Sequence, residues 1–464
     1  MTLIKSISGI RGTIGGKPNE GLTPLDTVKF ATAYGMWIKE VHPGKKIKVI
    51  IGRDARLSGQ MISDLVSSTL ISLGIDVINL GLSTTPTVEI AVPMENAQGG
   101  IILTASHNPK QWNALKLLNE KGEFISAKEG EKLIQLAENE SFEYSNIDEL
   151  GIIINNDTYL DKHIQSILEL ELVNVEAIKK ANFSIVVDAV NSSGGIFVPK
   201  LLEALGVKNI IKIHCDPTGH FPHNPEPLPE HLGDLSAKII EEQADLGITV
   251  DPDVDRLAMV CEDGSMFGEE YTLVAVSDYV LKNTPGATVS NLSSTKALRD
   301  ITEQNGQKYY AASVGEVNVV EKMKAVQAVI GGEGNGGVIY PKSHFGRDAL
   351  VGIALFLSHL ALSGQKISEL RDSYPKYVIS KNKIELNPKI DVDALLNEIA
   401  EKFKDEEVDV TDGVKIYIEN EWVHLRKSNT ESIIRIYSES KTEEKATLFA
   451  QKFINLINEM ILVK

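Results

Sequence analysis

The sequence predicts an α/β protein with three similar mixed α/β domains and a small α+β C-terminal domain, arranged around a central cleft. Three observations lead to this fold class. A strand–loop–helix–strand pattern occurs three times, at intervals of more than a hundred residues. The pattern stops after the Tyr-Pro pair at 374–375, where shorter strands and longer helices follow. The length of 464 residues also exceeds what one hydrophobic core usually supports.

The first repeat contains a strand at 47–51, a polar loop at 52–59, an amphipathic helix at 61–73 and a strand at 76–80. The second begins with a strand at 184–188, and its helix and second strand end at 205 and 213. The third begins with a strand at 287–292, and its helix and second strand end at 303 and 311. In sheets of this kind, binding sites form at the carboxyl ends of the strands.

The sequence pattern of the C-terminal region predicts a domain of about ninety residues with its own core, which is within the usual size range of domains. Its predicted elements are strands at 384–386, 414–418, 422–425 and 433–437, helices at 392–403 and 442–460, and a hairpin turn at 419–421. The domain boundaries are predicted near 155, 256 and 375. The four domains then cover 1–155, 156–256, 257–375 and 376–464.

Composition restricts the possible partners and the compartment. The formal net charge of −17 argues against a nucleic-acid or anionic-membrane surface, which would need a basic face. Cys215 and Cys261 lack metal-ligand spacing and indicate core packing in a reducing compartment. The N-terminus lacks a long apolar run, and the apolar stretch 349–357 is too short to span a bilayer. We therefore expect a cytoplasmic protein.

Residues 104–109 (TASHNP) follow the buried strand predicted at 99–103 and leave the Ser106 hydroxyl uncovered at the strand's end. His107 could transfer a proton, and Lys116 follows shortly along the chain. This arrangement is typical of a hydroxyl nucleophile. The alternative is an ordinary Asn-Pro turn with a capping serine.

Residues 251–255 (DPDVD) alternate three carboxylates, Asp251, Asp253 and Asp255. In an extended segment all three would point to one side and could bind a hard divalent cation. Arg256 occupies the position where a calcium EF-hand needs glycine, and the apolar run after it predicts a strand, so we reject that motif. The segment could instead be a phosphatase-type Asp-x-Asp nucleophile or a solvated acidic turn.

Three further loops carry basic or polar side chains. Residues 426–435 (RKSNTESIIR) join two guanidinium groups to hydroxyl and amide side chains, a set that suits a phosphate dianion. Residues 331–337 are mostly glycine and carry Glu333 and Asn335, which could bind sugar hydroxyls. Arg11 lies on a glycine-flanked loop. The first loop could instead be a solvated hairpin, and the second a mobile glycine loop.

The four segments TASHNP, DPDVDR, GEGN and RKSNTE, in this order, resemble the α-D-phosphohexomutase family over essentially the whole chain. The resemblance implies a phosphoserine at Ser106 and a Mg²⁺ site formed by Asp251, Asp253, Asp255 and the phosphoserine. It also implies sugar contacts from Glu333 and Asn335 and proton transfer or phosphate contacts from His107, Lys116, Arg11 and Arg256, with Lys116 the preferred general acid or base. The non-reacting phosphate would be held by Arg426, Ser428, Asn429, Thr430 and Arg435.

The resemblance implies interconversion of hexose 1-phosphates and 6-phosphates through a 1,6-bisphosphate. The partners are then hexose or hexosamine phosphates and their bisphosphate. The loop variant GEGNGG resembles the branch assigned to glucosamine phosphate, with mannose and glucose phosphates as the alternative. Two further function classes are a phosphoserine-using sugar phosphatase and a non-catalytic sugar-phosphate sensor. The sensor would not need the serine and the three acids.

Overall fold

The computed structural model describes residues 2–6, 9–387, 390–427 and 433–462. The chain forms two compact units. Unit 1 contains residues 1–279 and 335–370, and unit 2 contains residues 280–334 and 371–464.

The strands, numbered along the chain, are β1 Ile4–Ser6, β2 Gly9–Thr13, β3 Lys48–Arg53, β4 Asp76–Leu82, β5 Gly99–Leu103, β6 Trp112–Leu118, β7 Ile153–Asn155, β8 Ser184–Asp188, β9 Asn209–Ile213, β10 Leu246–Val250, β11 Leu257–Cys261, β12 Thr288–Asn291, β13 Tyr309–Ala312, β14 Ile330–Glu333, β15 Gly337–Ile339, β16 Val378–Glu385, β17 Glu407–Asp409, β18 Val414–Ile418, β19 Glu421–Lys427 and β20 Ile433–Ser440.

The α-helices are α1 Pro24–Val41, α2 Gly59–Ser72, α3 Thr85–Met94, α4 Ala127–Asn139, α5 Tyr159–Leu168, α6 Val175–Ala181, α7 Gly194–Ala204, α8 Gly233–Glu242, α9 Glu269–Asn283, α10 Ala297–Gln304, α11 Glu316–Val326, α12 Ala349–Ser363, α13 Ile367–Asp372, α14 Val392–Lys402 and α15 Glu443–Leu462.

Unit 1 contains a seven-stranded mixed sheet in the order β1-β2-β6-β5-β3-β4-β7. β3 pairs in parallel with β4 and β5, whereas β6 returns antiparallel to β5. Capping boxes at Thr23 and Ser126 start α1 and α4 by satisfying backbone N–H groups of their first turns. The faces of β3 and β5 pack into apolar cores, so the ends of these strands have fixed positions.

A second sheet of unit 1 has the order β11-β10-β8-β9. β8 and β10 run in parallel, and β11 turns back antiparallel to β10. β10 and β11 are buried along their whole lengths. The turn between these two buried strands, residues 251–256, is therefore held at both ends.

Unit 2 contains the parallel strands β13, β12 and β14 and a separate antiparallel sheet in the order β16-β20-β19-β18-β17. Helices α14 and α15 pack on that sheet through Leu395, Ile399 and Phe453. The C-terminal residues also bond to residues 280–334, for example through Lys415 Nζ to the Leu292 carbonyl at 2.7 Å.

The structure confirms the predicted α/β class, with three similar α/β repeats followed by a small α+β region, and the central cleft stays a prediction. The three repeats are β3-α2-β4, β8-α7-β9 and β12-α10-β13, and in each the two strands are parallel. The predicted strand at 384–386 was too short, because β16 begins at Val378 and carries polar residues along its length. The domain boundaries stay predictions. Among the described helices, none combines the length and apolar character needed to cross a membrane.

Candidate active site

The Ser106 loop joins β5 to β6 in unit 1. The uncovered Ser106 hydroxyl predicted from the sequence is wrong, because the residue is only 6% exposed. Ser106 adopts a left-handed backbone conformation, with φ of 48°, that turns its side chain toward the second sheet of the unit. Its Oγ donates to Asp251 Oδ2 at 2.6 Å. Loops from two different sheets of unit 1 therefore meet at the serine hydroxyl.

Arg56 holds the backbone of this loop in place. Its guanidinium donates to the carbonyl oxygens of Ser106, Asn108, Pro109 and Trp112 at 2.5–3.0 Å. Asp54 accepts from Arg56 Nε, so the arginine is itself fixed although it is almost fully buried. One buried cation thus satisfies carbonyls that a tight loop cannot pair in regular structure.

Asp251, Asp253 and Asp255 lie in the turn between β10 and β11. The extended conformation expected for this segment is wrong, because the segment forms a turn in which Val254 has a φ of 62°. The three side chains nevertheless converge, and each offers an oxygen within 4.8 Å of the other two. The turn closes through a bond from Val254 N to the Asp251 carbonyl at 3.1 Å.

This carboxylate set fits a hard divalent cation. Asp253 Oδ1 and Asp255 Oδ1 are buried and have no hydrogen-bond partner among the described residues. Burial and repulsion from Asp253 and Asp255 raise the pKa of the Asp251 carboxyl well above its usual range. A bound Mg²⁺ ion would coordinate these unpaired oxygens and would neutralise the repulsion between the carboxylates.

Lys116 lies on β6, opposite Ile102 of β5, and its ammonium faces the same acids. Nζ donates to Asp253 Oδ2 at 2.6 Å and to Asp255 Oδ2 at 3.3 Å. Burial alone would lower the pKa of Lys116, but the two carboxylates outweigh it and raise that pKa above its usual value. Lys116 therefore carries its proton in this structure.

His107 lies next to the serine and, unlike Lys116, is neutral. Its Nδ1 is 3.4 Å from Ser106 Oγ. Burial lowers the pKa of the imidazole well below its usual range, and the Arg256 guanidinium lowers it further. The site thus combines a neutral base beside the serine and a charged acid beside the carboxylates.

Three arginines add positive charge around these groups. Arg347 donates to Asp255 Oδ2 at 2.6 Å, and Arg256 donates to Glu226 Oε1 at 3.1 Å. Burial and the neighbouring Arg256 lower the pKa of Arg11, whose guanidinium lies 3.5 Å from Asn108 Oδ1. The positive charge of neighbouring guanidinium groups in a buried region favours the binding of an anion such as phosphate.

The two candidate sugar ligands fall in different units. Glu333 ends β14 in unit 2, where its Oε1 accepts from Asn291 Nδ2 at 2.8 Å and from Gly315 N at 3.1 Å. Asn335 belongs to unit 1, and its Oδ1 accepts from Gly337 N at 3.2 Å.

The glycines at 336 and 337 lie against atoms that leave no room for a side chain. A Cβ at Gly337 would lie 2.3 Å from Arg347 Cδ, and one at Gly336 would lie 2.3 Å from the Leu257 carbonyl oxygen. These glycines are needed because Arg347 and the backbone of β11 already fill that space.

In unit 2, three basic residues line up across the C-terminal sheet. Arg426 on β19 lies opposite Arg435 on β20, and Arg435 lies opposite Lys383 on β16. Directly opposed residues share a face, so like charges are neighbours here and an anion would relieve their repulsion. Ser428, Asn429 and Thr430 lie outside the described residues.

Four residues of these arrangements were not predicted from the sequence: Arg56, Glu226, Arg347 and Lys383. Arg56 and Asp54 lie in the polar loop after β3, at a strand end where sites form, which was a usable signal. Arg347 and Glu226 had no such signal, because each reaches the acid turn from a distant loop.

Comparisons with known proteins agree with this fold. Four family models match in order: phosphoglucomutase/phosphomannomutase domain I over residues 3–144, domain II over 159–264, domain III over 268–377 and the C-terminal domain over 383–456. These matches define a phosphohexomutase, an isomerase class that moves a phosphate between positions of a hexose. The chain belongs to the phosphoglucomutase/phosphomannomutase family, the α-D-phosphohexomutases.

Relatives with different substrate names match over nearly the whole chain. A phosphoglucomutase/phosphomannomutase of Thermococcus kodakarensis is 38% identical over 97% of this chain and 98% of its own. A phosphoglucosamine/phosphogalactosamine mutase of Sulfurisphaera tokodaii is 31% identical over 97% of each chain. A crystal structure of a family protein from Burkholderia thailandensis has a TM-score of 0.84 and 25% identity, covering 98% of this chain and 97% of its own.

Proposed function

We propose that the protein interconverts hexose 1-phosphates and hexose 6-phosphates through phosphorylation of Ser106. The observation that carries this proposal is the 2.6 Å bond from Ser106 Oγ into a buried carboxylate set that fits a divalent cation. Family membership supports the reaction class. The roles of individual residues are our assignment.

Asp251, Asp253 and Asp255 would hold Mg²⁺ beside Ser106 Oγ. When bound there, the ion would neutralise charge on the phosphoryl group during transfer. Arg11, Arg256 and Arg347 would add fixed positive charge around the same group.

The protonation states suit transfer from a hexose 1,6-bisphosphate to the serine. Ser106 Oγ attacks phosphorus, and its proton, which points to Asp251 Oδ2 at 2.6 Å in this structure, passes to the neutral imidazole of His107, whose Nδ1 lies 3.4 Å from Oγ. The P–O bond to the sugar breaks, and Lys116, which is charged, gives its proton to the departing sugar oxygen. In the opposite half-reaction the same two groups exchange these roles, and the monophosphate becomes the bisphosphate.

The basic face of the C-terminal sheet, formed by Lys383, Arg426 and Arg435, would hold the phosphate that does not react. Because the sugar must present each end to Ser106 in turn, this face must hold a phosphate at either position. Ser428, Asn429 and Thr430 would complete that grip. Glu333 and Asn335 would bind the sugar hydroxyls.

For the sugar, we propose glucosamine phosphate as the preferred substrate, with glucose and mannose phosphates also turned over. The loop 332–337 and a full-length relative that is a phosphoglucosamine/phosphogalactosamine mutase support this choice. The second candidate is a phosphomannomutase/phosphoglucomutase. It is favoured by the 38% identical relative, a phosphoglucomutase/phosphomannomutase.

The test is a comparison of kcat/KM for the 6-phosphates of glucosamine, glucose and mannose under one set of conditions. We expect turnover of all three, with glucosamine phosphate ahead by a modest factor, because one hydrogen-bonding difference is worth about 1–3 kcal/mol. A glucosamine phosphate value a hundredfold below that of mannose phosphate would establish the second candidate. Release of inorganic phosphate equal to substrate consumed would instead indicate a phosphatase.

A further inference from the structure

A second cluster of possible metal ligands lies outside the site described above. It contains Asp188, His214 and His223, whose ligand atoms all lie within 4.8 Å of one another. Asp188 ends β8 and is buried, whereas the two histidines lie on the loop after β9 and are partly exposed. A cation could therefore reach the cluster from solvent and find a buried carboxylate.

Asp188 Oδ2 lies close to one ring nitrogen of each histidine. It lies 3.1 Å from His214 Nδ1 and 3.0 Å from His223 Nε2. In a tetrahedral Zn²⁺ site with bonds of about 2.0–2.1 Å, neighbouring ligand atoms are about 3.3 Å apart. The two distances to Asp188 Oδ2 are a few tenths of an ångström shorter than this, and the two nitrogens lie within 4.8 Å of each other, so small side-chain shifts would accommodate the ion, with the fourth position left to water.

The outer nitrogens of both rings face acceptors. His223 Nδ1 lies 2.8 Å from the Asn224 carbonyl oxygen, and His214 Nε2 lies 3.7 Å from Asp234 Oδ2. In protein metal sites, a ligating histidine commonly gives its other N–H to a carbonyl or a carboxylate, which directs the remaining lone pair at the ion. His223 has that support here, and the Asp234 carboxylate lies within ion-pair distance of His214.

We propose that Asp188, His214 and His223 form a transition-metal site, with Zn²⁺ as the expected ion. Two imidazoles and one carboxylate suit a borderline ion, in contrast to the all-oxygen set at Asp251, Asp253 and Asp255. The site is structural and does not depend on the proposed function. Its ligands are Asp188, at the end of β8, and the two histidines at the two ends of the loop 214–223.

The loop that this ion would fasten reaches the Ser106 region of unit 1. Phe221, between the two histidines, lies under the Arg56 guanidinium with 5.1 Å between Cζ and the ring centroid. Glu226, three residues after His223, accepts from Arg256. Fixing the loop would therefore steady two contacts that position residues around the serine.

The test is calorimetric titration of the metal-stripped full chain with Zn²⁺, in the presence of a large excess of Mg²⁺ to occupy the acid turn. We expect one equivalent of Zn²⁺ per chain and a rise in Tm on binding. His214→Gln and His223→Gln should each lose that equivalent and the rise in Tm. His220→Gln, at an exposed histidine of the same loop, is the matched control and should keep both.

Co²⁺ bound to the wild type provides a readout that needs no variant. We expect the intense visible absorption of a tetrahedral ion, displaced by Zn²⁺ and not by Mg²⁺. Three results would overturn the proposal: no saturable Zn²⁺ binding, an equivalent that survives in both histidine variants, or one lost in Asp253→Asn and kept in His223→Gln. A wild type that gives only the weak spectrum of an octahedral Co²⁺ ion would overturn it as well.

Discussion

The acid–serine site of unit 1 mixes buried carboxylates with buried cations, whereas the basic face of unit 2 carries three basic side chains, and the two are built in opposite ways. Ser106, Lys116 and the three acids are buried, and hydrogen bonds of 2.6 Å join Ser106 to Asp251 and Lys116 to Asp253. On the basic face, the Arg426 side chain is 23% exposed and its ion pair with Asp412 is a 3.6 Å contact. The unit 1 site is held in place by its own hydrogen bonds, whereas the basic face of unit 2 is partly exposed and loosely paired.

This difference matches two kinds of task. Groups that make and break bonds must be held close to the reacting geometry, which requires rigid neighbours and full hydrogen bonding. Groups that hold a phosphate supply charge and can tolerate a ligand presented in either of two orientations. We therefore expect changes in unit 1 to affect kcat and changes on the basic face to affect KM.

The largest effect is expected from Ser106→Ala. The variant should fold, because the arginine bonds to the loop involve backbone carbonyls, yet kcat should fall by about a thousandfold or more through loss of the nucleophile. Steady-state mutase assays measure this, with exposed Ser141→Ala as control. Activity within a few-fold of wild type in Ser106→Ala would move the nucleophile elsewhere, Asp251 first.

Next is Asp253→Asn, which removes one of three carboxylate charges at nearly constant shape. The Mg²⁺ concentration for half-maximal activity should rise about tenfold or more. Activity titrated against free Mg²⁺ measures it, and exposed Asp157→Asn should leave the curve unchanged. If wild-type activity persists in excess chelator, the metal assignment is wrong.

On the basic face, Arg435→Ala should raise KM about tenfold for both the 1-phosphate and the 6-phosphate, with a smaller change in kcat. Lys427→Ala is a useful control. Lys427 follows Arg426 on β19, so it points to the opposite face, where it pairs with Asp393. An increase in KM confined to one substrate would contradict a grip shared by both half-reactions.

The smallest effect is a pH dependence of stability in unit 2. Burial raises the pKa of Glu439 to about 7 from a usual 4.5, and its Oε1 accepts from Trp422 Nε1 and Lys296 N. The folded state thus holds a proton that the unfolded chain has lost, so stability should fall as pH rises from about 4.5 through about 7.

Glu439→Gln keeps an acceptor at Oε1 and cannot ionise. It should flatten this part of the Tm–pH profile, with a difference of a few degrees between the two proteins near the upper end. Parallel wild-type and variant profiles across the window would rule out the assignment to Glu439.

The repeats could be predicted from the sequence because each buried strand is a short apolar run followed by a polar loop and an amphipathic helix. The strands at 184–188 and 414–418 even have the predicted bounds. The candidate serine and acids were found for the same reason, since both follow such runs.

Side chains brought in by tertiary structure could not be predicted with the same success. Lys116 meets the acids because β6 returns beside β5, and Arg347 reaches Asp255 from a loop more than ninety residues away. The turn at Val254 could not be predicted, because alternating acids bring three carboxylates together in an extended segment as well as in a turn. Neither pairing nor a left-handed residue is visible in local sequence.

The central claim is that Ser106 carries the phosphoryl group, and the most direct measurement is intact and peptide mass after incubation with a hexose 1,6-bisphosphate. We expect one added phosphoryl group, stable to acid, on the peptide that contains Ser106, and its removal by a hexose monophosphate. A hydroxylamine-labile adduct on the peptide containing Asp251, or turnover with no phosphorylated protein, would contradict the claim.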